Sequence, residues 1–168
     1  MIAALKRLRV SMPRTTALIV GSGPDRVRLE AFAREQDLGS GVRFLGSVAD
    51  PRPALSLMCV FVFLPVEKEG FGLTLLEAMA AGCPVVAMRC SGGSGWLLDQ
   101  IPDDLIAVAC SVDELAEKIQ GILKEPERAL RVSQRAQAWV SERFGLRNMA
   151  EGVLSLYAEV LGTSRARA

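Results

Sequence analysis

Residues 60–88 read VFVFLPVEKEGFGLTLLEAMAAGCPVVAM and predict a strand, a glycine-rich loop, a helix and a second strand. The apolar run over residues 60–64 is typical of a buried strand, and residues 84–88 repeat that pattern. Between them, residues 73–81 predict a helix that ends at Gly82. Buried strands joined through a helix run parallel in a sheet, so the segment predicts a parallel sheet with a helix against it.

Short apolar strands alternate with helices over the rest of the chain in the same way. Further strands are predicted over residues 17–20, 42–45 and 106–109, and further helices over residues 1–10, 25–38, 53–57, 112–124, 126–144 and 146–161. Ser111 and Glu114 predict a capping box at the start of the helix over 112–124. The alternation is typical of an α/β fold in which helices cover both faces of a parallel sheet.

The 168 residues, half of them apolar, suit a single domain over residues 1–168. Parallel sheets of this class bind ligands at the carboxyl ends of their strands. The candidate ligand loops are therefore those that follow strands, over residues 21–24, 46–53, 65–72 and 89–95.

Composition excludes several function classes. Lys and Arg number 20 against 19 Asp and Glu, a balance that argues against nucleic-acid binding and a basic membrane-docking face. The chain has no histidine, which excludes Ser-His-Asp and Cys-His nucleophiles and zinc sites that use histidine. The longest apolar stretch, residues 55–66, is shorter than the ~20 residues of a transmembrane helix. We expect no transmembrane segment, no signal peptide and a cytoplasmic location.

The four cysteines, Cys59, Cys83, Cys90 and Cys110, form no CxxC pair. Cys59 lies in an apolar run and Cys110 ends another, so both are predicted to be small buried hydrophobes. Free thiols fit a reducing compartment better than a disulfide framework does. We expect no metal site, and four thiolates around zinc are the alternative.

The helix over residues 73–81 carries two polar side chains, Thr74 and Glu77, about 60° apart on one side. Because its other residues are apolar nearly all round, the helix is predicted to be buried. A buried carboxylate is costly without partners, so Glu77 is expected to meet a cation, backbone donors or ligand hydroxyls.

The loop before this helix predicts an anion site. Gly70, Phe71 and Gly72 leave backbone N–H groups free at a helix start, where the helix dipole favours negative charge. An anion site one turn from a carboxylate suits a nucleotide, with its phosphates at the helix start and its ribose at Glu77. Glu69 then lies beyond the phosphates, where a transferred sugar would be.

Plainer interpretations of these residues stay open. Glu77 could pair with Arg43 or Arg89, Glu69 could be a solvated loop charge, and the glycines could serve only the turn. Residues 20–24, VGSGP, invite a dinucleotide-binding interpretation. That signal is weak, because the third glycine and the acidic partner about 20 residues on are not evident.

Glu69 and Glu77 stand eight residues apart in EGFGLTLLEAMAAGCPVVA, which closely resembles the E-x7-E motif of retaining glycosyltransferases with the GT-B fold, in the large family 4 group. The resemblance covers nearly the whole chain. It continues through TTALIVGSGP (15–24), VRFLGSV (42–48), VFVFLP (60–65) and GVLSLYAEVL (152–161). It implies the C-terminal half of a GT-B fold, a Rossmann-like parallel sheet with helices on both faces.

The resemblance also implies roles. Glu69 is the catalytic candidate and contacts the donor sugar, while Glu77 binds the ribose hydroxyls. The implied donor-binding set is Gly21, Gly23, Leu45, Gly46, Gly70, Phe71, Gly72, Leu73, Thr74 and Glu77. In that set Gly21 and Gly23 line the nucleotide cleft, and Leu45 and Gly46 lie near the base. The reaction moves a sugar from a UDP-, GDP- or ADP-sugar to an acceptor hydroxyl with retention, using no cofactor and no obligatory metal.

Some parts of the family pattern are missing or changed. An N-terminal acceptor domain, the first strand of the donor domain, and the Arg and Lys that neutralise the donor diphosphate are expected upstream of Met1. Trp96 stands in GGSGW (92–96), where the family's GG-x-P-E loop has an acidic residue. We expect the chain to be inactive without an N-terminal domain or a partner chain, and its sheet edge to invite association. The alternatives are a non-catalytic nucleotide-binding or scaffolding module and a nucleotide-sugar epimerase.

Overall fold

The computed structural model of the chain describes residues 1–65 and 69–165, with side chains through residue 162. Its elements are α1 (Ile2–Ser11), β1 (Ala17–Val20), α2 (Arg26–Glu35), β2 (Val42–Gly46), α3 (Arg52–Ser56), β3 (Phe61–Phe63), α4 (Leu73–Ala80), β4 (Val85–Met88), α5 (Gly93–Gln100), β5 (Ala107–Ala109), α6 (Val112–Lys124), α7 (Pro126–Phe144) and α8 (Leu146–Arg165). All strand pairs are parallel, which confirms the predicted α/β fold.

The strands form two sheets within the described residues, where the sequence predicted one. β1 pairs with β2, and β3, β4 and β5 pair in that order. Residues of β1 and β3 line one cavity, but the two strands are not hydrogen-bonded to one another. The sheet is therefore interrupted between β1 and β3.

Helices cover both faces, and β4 shows how the faces are assigned. Val85 and Ala87 join the largest apolar cluster, which contains residues of α4, α5 and α7. Val86, between them, joins a second cluster with residues of α1 and α6. Successive side chains of a strand point to opposite faces, so α4, α5 and α7 cover one face while α1 and α6 cover the other. A third cluster packs α1 and α2 against β1 and β2.

The predicted cap of α6 is confirmed. The Ser111 hydroxyl accepts a hydrogen bond from the Glu114 amide at 3.1 Å, and the Glu114 carboxylate accepts one from the Cys110 amide at 3.0 Å. The Ser111 hydroxyl thus satisfies one amide that the helix leaves without an internal partner. The Glu114 carboxylate binds the amide of Cys110, one residue before the N-cap, rather than the N-cap amide of a standard capping box. The cap sets the start of α6 directly after β5.

Three elements differ clearly from the prediction, and one of them is α8, which runs to Arg165 rather than to residue 161. The helix predicted over 25–38 ends at Glu35, because Asp37 adopts a left-handed conformation (φ 57°) and turns buried Leu38 into the core. α5 was not predicted, since its sequence begins with glycines that are poor helix formers. Packing decides it instead: Ser94 and Leu97 are both fully buried.

The prediction that Cys59 and Cys110 are buried is wrong. Cys83 is buried, but Cys59 and Cys110 are exposed, because each lies just outside a strand rather than within it. Over the described ranges, no three His, Cys, Asp or Glu side chains are grouped to hold a metal ion. None of the helices in the described part of the chain is long and apolar enough to span a membrane.

Candidate functional site

The start of α4 is fixed by Gly72 at the carboxyl end of β3. Gly72 has a φ of 93°, a left-handed conformation that side-chain-bearing residues rarely adopt. A Cβ here would also lie 3.0 Å from the ring of Phe63 on β3. The left-handed backbone of Gly72 and its nearness to the Phe63 ring both favour glycine at this position. Gly72 in turn places the first amides of α4 at the edge where the strands end.

A second glycine-rich loop packs against the first. α5 begins at Gly93, where a Cβ would lie 1.7 Å from the carbonyl oxygen of Gly70. Two residues further along α5, a Cβ on Gly95 would lie 2.6 Å from the Cys90 carbonyl oxygen. The starts of α4 and α5 are thus held side by side, and both direct the positive ends of their dipoles to the same edge of the sheet.

Glu77 and Thr74 are exposed, which corrects the prediction that α4 is buried all round. α4 packs through Leu75 and Met79, both fully buried, while Leu73 at its start is 65% exposed. The polar side of α4 faces an open cleft because the sheet is interrupted there. Glu77 therefore avoids the desolvation cost that the sequence analysis assigned to it.

The proposed ion pairs of Glu77 are not formed. Arg89 instead pairs with Asp99, at 2.7 Å between Nη1 and Oδ1. Arg43 lines the same cleft as Glu77 but forms no salt bridge with it. Among the described residues, Glu77 has no cationic partner, which leaves its carboxylate available to a ligand.

Glu69 is half-buried and lies directly before Gly70. Residues 66–68 of the predicted loop 65–72 lie outside the described residues. Glu69 thus lies close in the chain to the start of α4, and its contact with a donor sugar stays a prediction.

The loops after β1 and β2 come together, as the sequence analysis required. The amide of Gly21 (φ 123°) donates to the carbonyl oxygen of Gly46 (φ 75°) at 2.7 Å. The hydroxyls of Ser22 and Ser47 lie 2.7 Å apart, and Leu45 is 51% exposed beside them. Gly21, Leu45 and Gly46 therefore lie together at the carboxyl edge, and their role in nucleotide binding stays a prediction.

Arg26 is a candidate ligand-binding residue that the sequence analysis missed. It opens α2 just after the glycine turn, and its guanidinium donates to the Phe44 carbonyl oxygen at 3.4 Å and to Glu30 at 2.8 Å. It lies 3.1 Å from the position of a Cβ on Gly46. A cation at the first turn of a helix after a glycine loop is the signal that could have found it.

An aromatic group borders the two glycine loops on the other side. The Phe71 ring lies 6.2 Å from those of Trp96 and Phe144, and Trp96 remains 55% exposed in the first turn of α5. Such spacing is typical of packed aromatic pairs. Trp96, which stands where the family has an acidic residue, thus exposes an aromatic ring near the start of α4.

A cavity of about 1420 Å³ lies between β1 and β3. Of the predicted donor-binding residues, only Thr74 and Glu77 line it. Most of its wall is apolar and belongs to the strands and to α1, α3 and α6. It is therefore mainly the gap in the sheet, and the candidate ligand site lies at its carboxyl end.

Comparison with known proteins assigns the chain. The family model described as "Glycosyl transferases group 1" matches residues 1–139. The chain belongs to the glycosyl transferases group 1 family. A curated relative, the 2-deoxystreptamine glucosyltransferase of Streptomyces kanamyceticus, is 32% identical over 154 residues, covering 89% of this chain and 39% of the relative.

Solved structures of GT-B glycosyltransferases share the fold. Sucrose-phosphate synthase from Thermosynechococcus elongatus superimposes with a TM-score of 0.78 at 29% identity, over 96% of this chain and 42% of that one. Anabaena HepE in complex with UDP-glucose gives a TM-score of 0.81 at 25% identity, over 94% of this chain and 44% of that one. The group 1 chain thus spans less than half the length of these relatives.

Proposed function

We propose that this group 1 chain is the nucleotide-sugar-binding part of a retaining GT-B glycosyltransferase. The observation that carries the proposal is the surface of α4 at the carboxyl edge of the sheet. There the amides of a glycine-rich helix start lie near the carboxylate of Glu77, which has no cationic partner within residues 1–65 and 69–162. The spacing from Leu73 to Glu77 is about 6 Å along the helix axis, which suits the step from a diphosphate to its ribose.

The start of α4 would bind the diphosphate. The amides after Gly70 have no partner one turn earlier in the helix, and the neighbouring start of α5 adds a second dipole of the same sign. Helix starts bind phosphate for these two reasons together. The Thr74 hydroxyl, exposed in the first turn, supplies another donor.

Glu77 would accept hydrogen bonds from the two ribose hydroxyls, and Glu69 would contact the sugar beyond the diphosphate. The surface formed by Gly21, Leu45 and Gly46 would receive the base. The bound complex of the HepE relative with UDP-glucose supports a donor of this chemical class.

The acceptor would bind to a further domain, in the same polypeptide or in a partner chain. The chain covers 39% of the curated glucosyltransferase, so the relatives carry more than twice its length. We also propose a reducing compartment such as the cytoplasm, since the four cysteines are free thiols.

Parallel titrations with UDP, GDP and ADP test the donor site, with thermal unfolding as the measurement. A nucleotide at about 100 times its Kd should stabilise the chain by roughly 2.7 kcal/mol. Glu77→Gln should raise the Kd for the nucleotide about tenfold to a hundredfold, because hydrogen bonds to a charged group contribute about 1.5–3 kcal/mol. Its unfolding free energy should stay within about 0.5 kcal/mol of the parent, as for other exposed sites.

Glu117→Gln is the matched control, because Glu117 is an exposed glutamate on α6, away from the glycine loops. It should leave the Kd unchanged. A folded chain that binds none of the three nucleotides, or equal affinities for the parent and Glu77→Gln, would contradict the donor site.

A non-catalytic nucleotide-binding module is the second candidate. The exposed Trp96 favours it, since this side chain supplies no carboxylate where the family has one. Sugar transfer after the chain is joined to the N-terminal half of a relative would rule this candidate out. Nucleotide binding without transfer in that assembly would favour it.

A further inference from the structure

Two cysteines, Cys59 and Cys83, stand beside one another at the amino ends of two paired strands. β3 and β4 run parallel with Phe61 opposite Val85. The Phe61 amide donates to the Pro84 carbonyl oxygen at 2.8 Å, which extends the pairing one residue ahead of β4. Each cysteine stands two residues before its strand. The continued register therefore sets Cys59 opposite Cys83, on backbones about 4.8 Å apart.

The Cys83 sulfur lies against the backbone that carries Cys59. Its thiol donates a hydrogen bond to the Met58 carbonyl oxygen at 3.6 Å, and this carbonyl belongs to the peptide that joins Met58 to Cys59. Burial is the main cause that raises the pKa of the Cys83 thiol to about 11. The Phe61 amide opposes that rise, and the nearby Cys59 group adds to it. Groups on both sides of Cys59, and Cys59 itself, thus act on the Cys83 sulfur.

The two thiols differ in exposure. Cys83 is buried, with 4% of its surface exposed, whereas Cys59 is exposed and lines the cavity between β1 and β3. An exposed side chain can change its rotamer, so the Cys59 sulfur can turn toward Cys83. Disulfides join cysteines whose Cα atoms are about 4.4–6.8 Å apart, and neighbouring strands provide that separation. A dissolved oxidant reaches Cys59 first.

The other two cysteines are arranged differently at the opposite edge of the sheet. The register of β4 and β5, continued by one residue, sets Cys110 opposite Arg89 and not opposite Cys90. Successive residues of a strand point to opposite faces. The Cys90 sulfur also lies 3.4 Å from the Ser94 hydroxyl of α5. These two thiols therefore serve as a comparison pair that is out of register.

A bond between Cys59 and Cys83 would close a loop around the segment that carries the candidate site. Residues 60–82 contain β3, the glycine loop, all of α4 and both glutamates of the E-x7-E spacing. The two cysteines lie at the amino ends of β3 and β4, away from the starts of α4 and α5. The bond would restrain this segment without occupying the ligand surface.

We propose that Cys59 and Cys83 form a modification site for peroxides, at which oxidation joins the two sulfurs in a reversible disulfide and restrains residues 60–82. In a reducing compartment the pair stays as two thiols until a peroxide is present. The proposal does not depend on what the start of α4 binds.

The reaction balances in two steps. The Cys59 thiolate attacks a peroxide oxygen, so an S–O bond forms and the O–O bond breaks. The released hydroxide takes up the Cys59 proton as water and leaves a sulfenic acid on Cys59. The Cys83 sulfur then attacks the Cys59 sulfur, so the S–S bond forms, the S–O bond breaks, and hydroxide leaves with the Cys83 proton as a second water. A small dithiol restores both thiols by exchange.

Peptide mapping of the folded chain tests the site. The chain is treated with a small excess of hydrogen peroxide, and the remaining thiols are alkylated. Trypsin then cuts after Lys68 and Arg89, which puts Cys59 and Cys83 on different peptides and leaves the comparison pair together on a third. We expect residues 44–68 to be linked to residues 69–89, in a chain that stays monomeric on a non-reducing gel.

Two serine variants identify the order of reaction. In Cys59→Ser, Cys83 should stay an alkylatable thiol after peroxide treatment, because its sulfur is buried and has lost its partner. Cys110→Ser is the matched control at another exposed cysteine, and it should form the same link as the parent. A folded parent in which Cys59 is oxidised while Cys83 remains free would overturn the proposal. A link between Cys90 and Cys110 in place of the expected one would also overturn it.

The restraint on residues 60–82 is measured on the oxidised chain without any nucleotide. Its Tm should rise by about 5–10 °C, because the cross-link limits the unfolded chain, and a dithiol should reverse the rise. The amides of α4 should exchange with solvent about tenfold more slowly. Peroxide should produce neither change in Cys59→Ser. A mapped disulfide that leaves both the Tm and the α4 exchange unchanged would overturn the restraint, whatever the outcome of the nucleotide titrations.

Discussion

The two sides of the cleft differ in how completely they are packed. The side with β3, β4 and β5 contributes to an apolar cluster of 16 buried residues, and helices cover both its faces. The side with β1 and β2 packs through a cluster of six buried residues shared with α1 and α2. The starts of α4 and α5 belong to the first side, and the surface around Gly21 and Gly46 belongs to the second. The proposed phosphate end of the donor site is thus built on the more completely packed side.

The difference predicts unequal costs for the same truncation on the two sides. Leu97→Ala in α5 should lower the unfolding free energy by about 2–5 kcal/mol, because Leu97 is fully buried and leaves a cavity. Leu29→Ala in α2 should cost less, since Leu29 is only partly buried and already faces the cleft. Denaturant titration of both variants measures the difference. Equal costs would mean that the two sides are equally packed.

Alkaline pH should destabilise the more packed side through Cys83. Burial raises the pKa of this thiol to about 11, because the thiolate would lose its hydration. In the unfolded chain the thiol ionises near pH 8.5, so the unfolded state loses its proton first as the pH rises. The contribution to stability is complete below about pH 8.5 and falls by up to about 3 kcal/mol as the pH approaches 11.

Denaturant titrations across that pH range, with a reductant present, separate this effect from other titrating groups. Cys83→Ala should flatten the decline relative to the parent. Cys110→Ala should not, because Cys110 is exposed. Parallel curves for the parent and Cys83→Ala would show that the Cys83 thiol does not carry the effect.

The smallest expected change in unfolding free energy comes from substituting one serine on each side of the cleft. Ser111→Ala should lower the unfolding free energy by about 1 kcal/mol, because it removes the cap of α6. Ser22→Ala on the β1 side should change it by less than about 0.5 kcal/mol, since Ser22 bonds only an exposed hydroxyl. Thermal unfolding with exchange measurements on α6 resolves the two. A loss at Ser22 as large as that at Ser111 would show that the Ser22–Ser47 pair stabilises the β1 side.

Much of the fold and part of the candidate site follow from local sequence. Apolar runs of four or five residues place the strands, and glycines at left-handed turns place the loops after them. Ser111 and Glu114 place the start of α6 to the residue. Glu69, Gly72 and Glu77 were singled out from the glycine loop, the polar side of the predicted helix and the resemblance to the E-x7-E motif, and their roles in binding and catalysis stay predictions.

Long-range packing decided what the local pattern could not. α5 begins with glycines, which disfavour a helix locally, yet the close approach of Gly93 to Gly70 and the burial of Ser94 hold it in place. Glu77 was expected to be buried because α4 is apolar in sequence. Its exposure depends on what lies across the cleft, and helical periodicity carries no information about that.

The sequence by itself determined the alternation of strands and helices, the glycine turns and the spacing of the two glutamates, because these depend on neighbours within a few residues. The family resemblance led us to expect a missing strand and an exposed sheet edge, but only the tertiary structure placed the interruption between β1 and β3 and set Thr74 and Glu77 at the gap. Strand pairing joins residues far apart in the chain, and its energy depends on which edges meet. A pattern that repeats every two or four residues does not specify those edges.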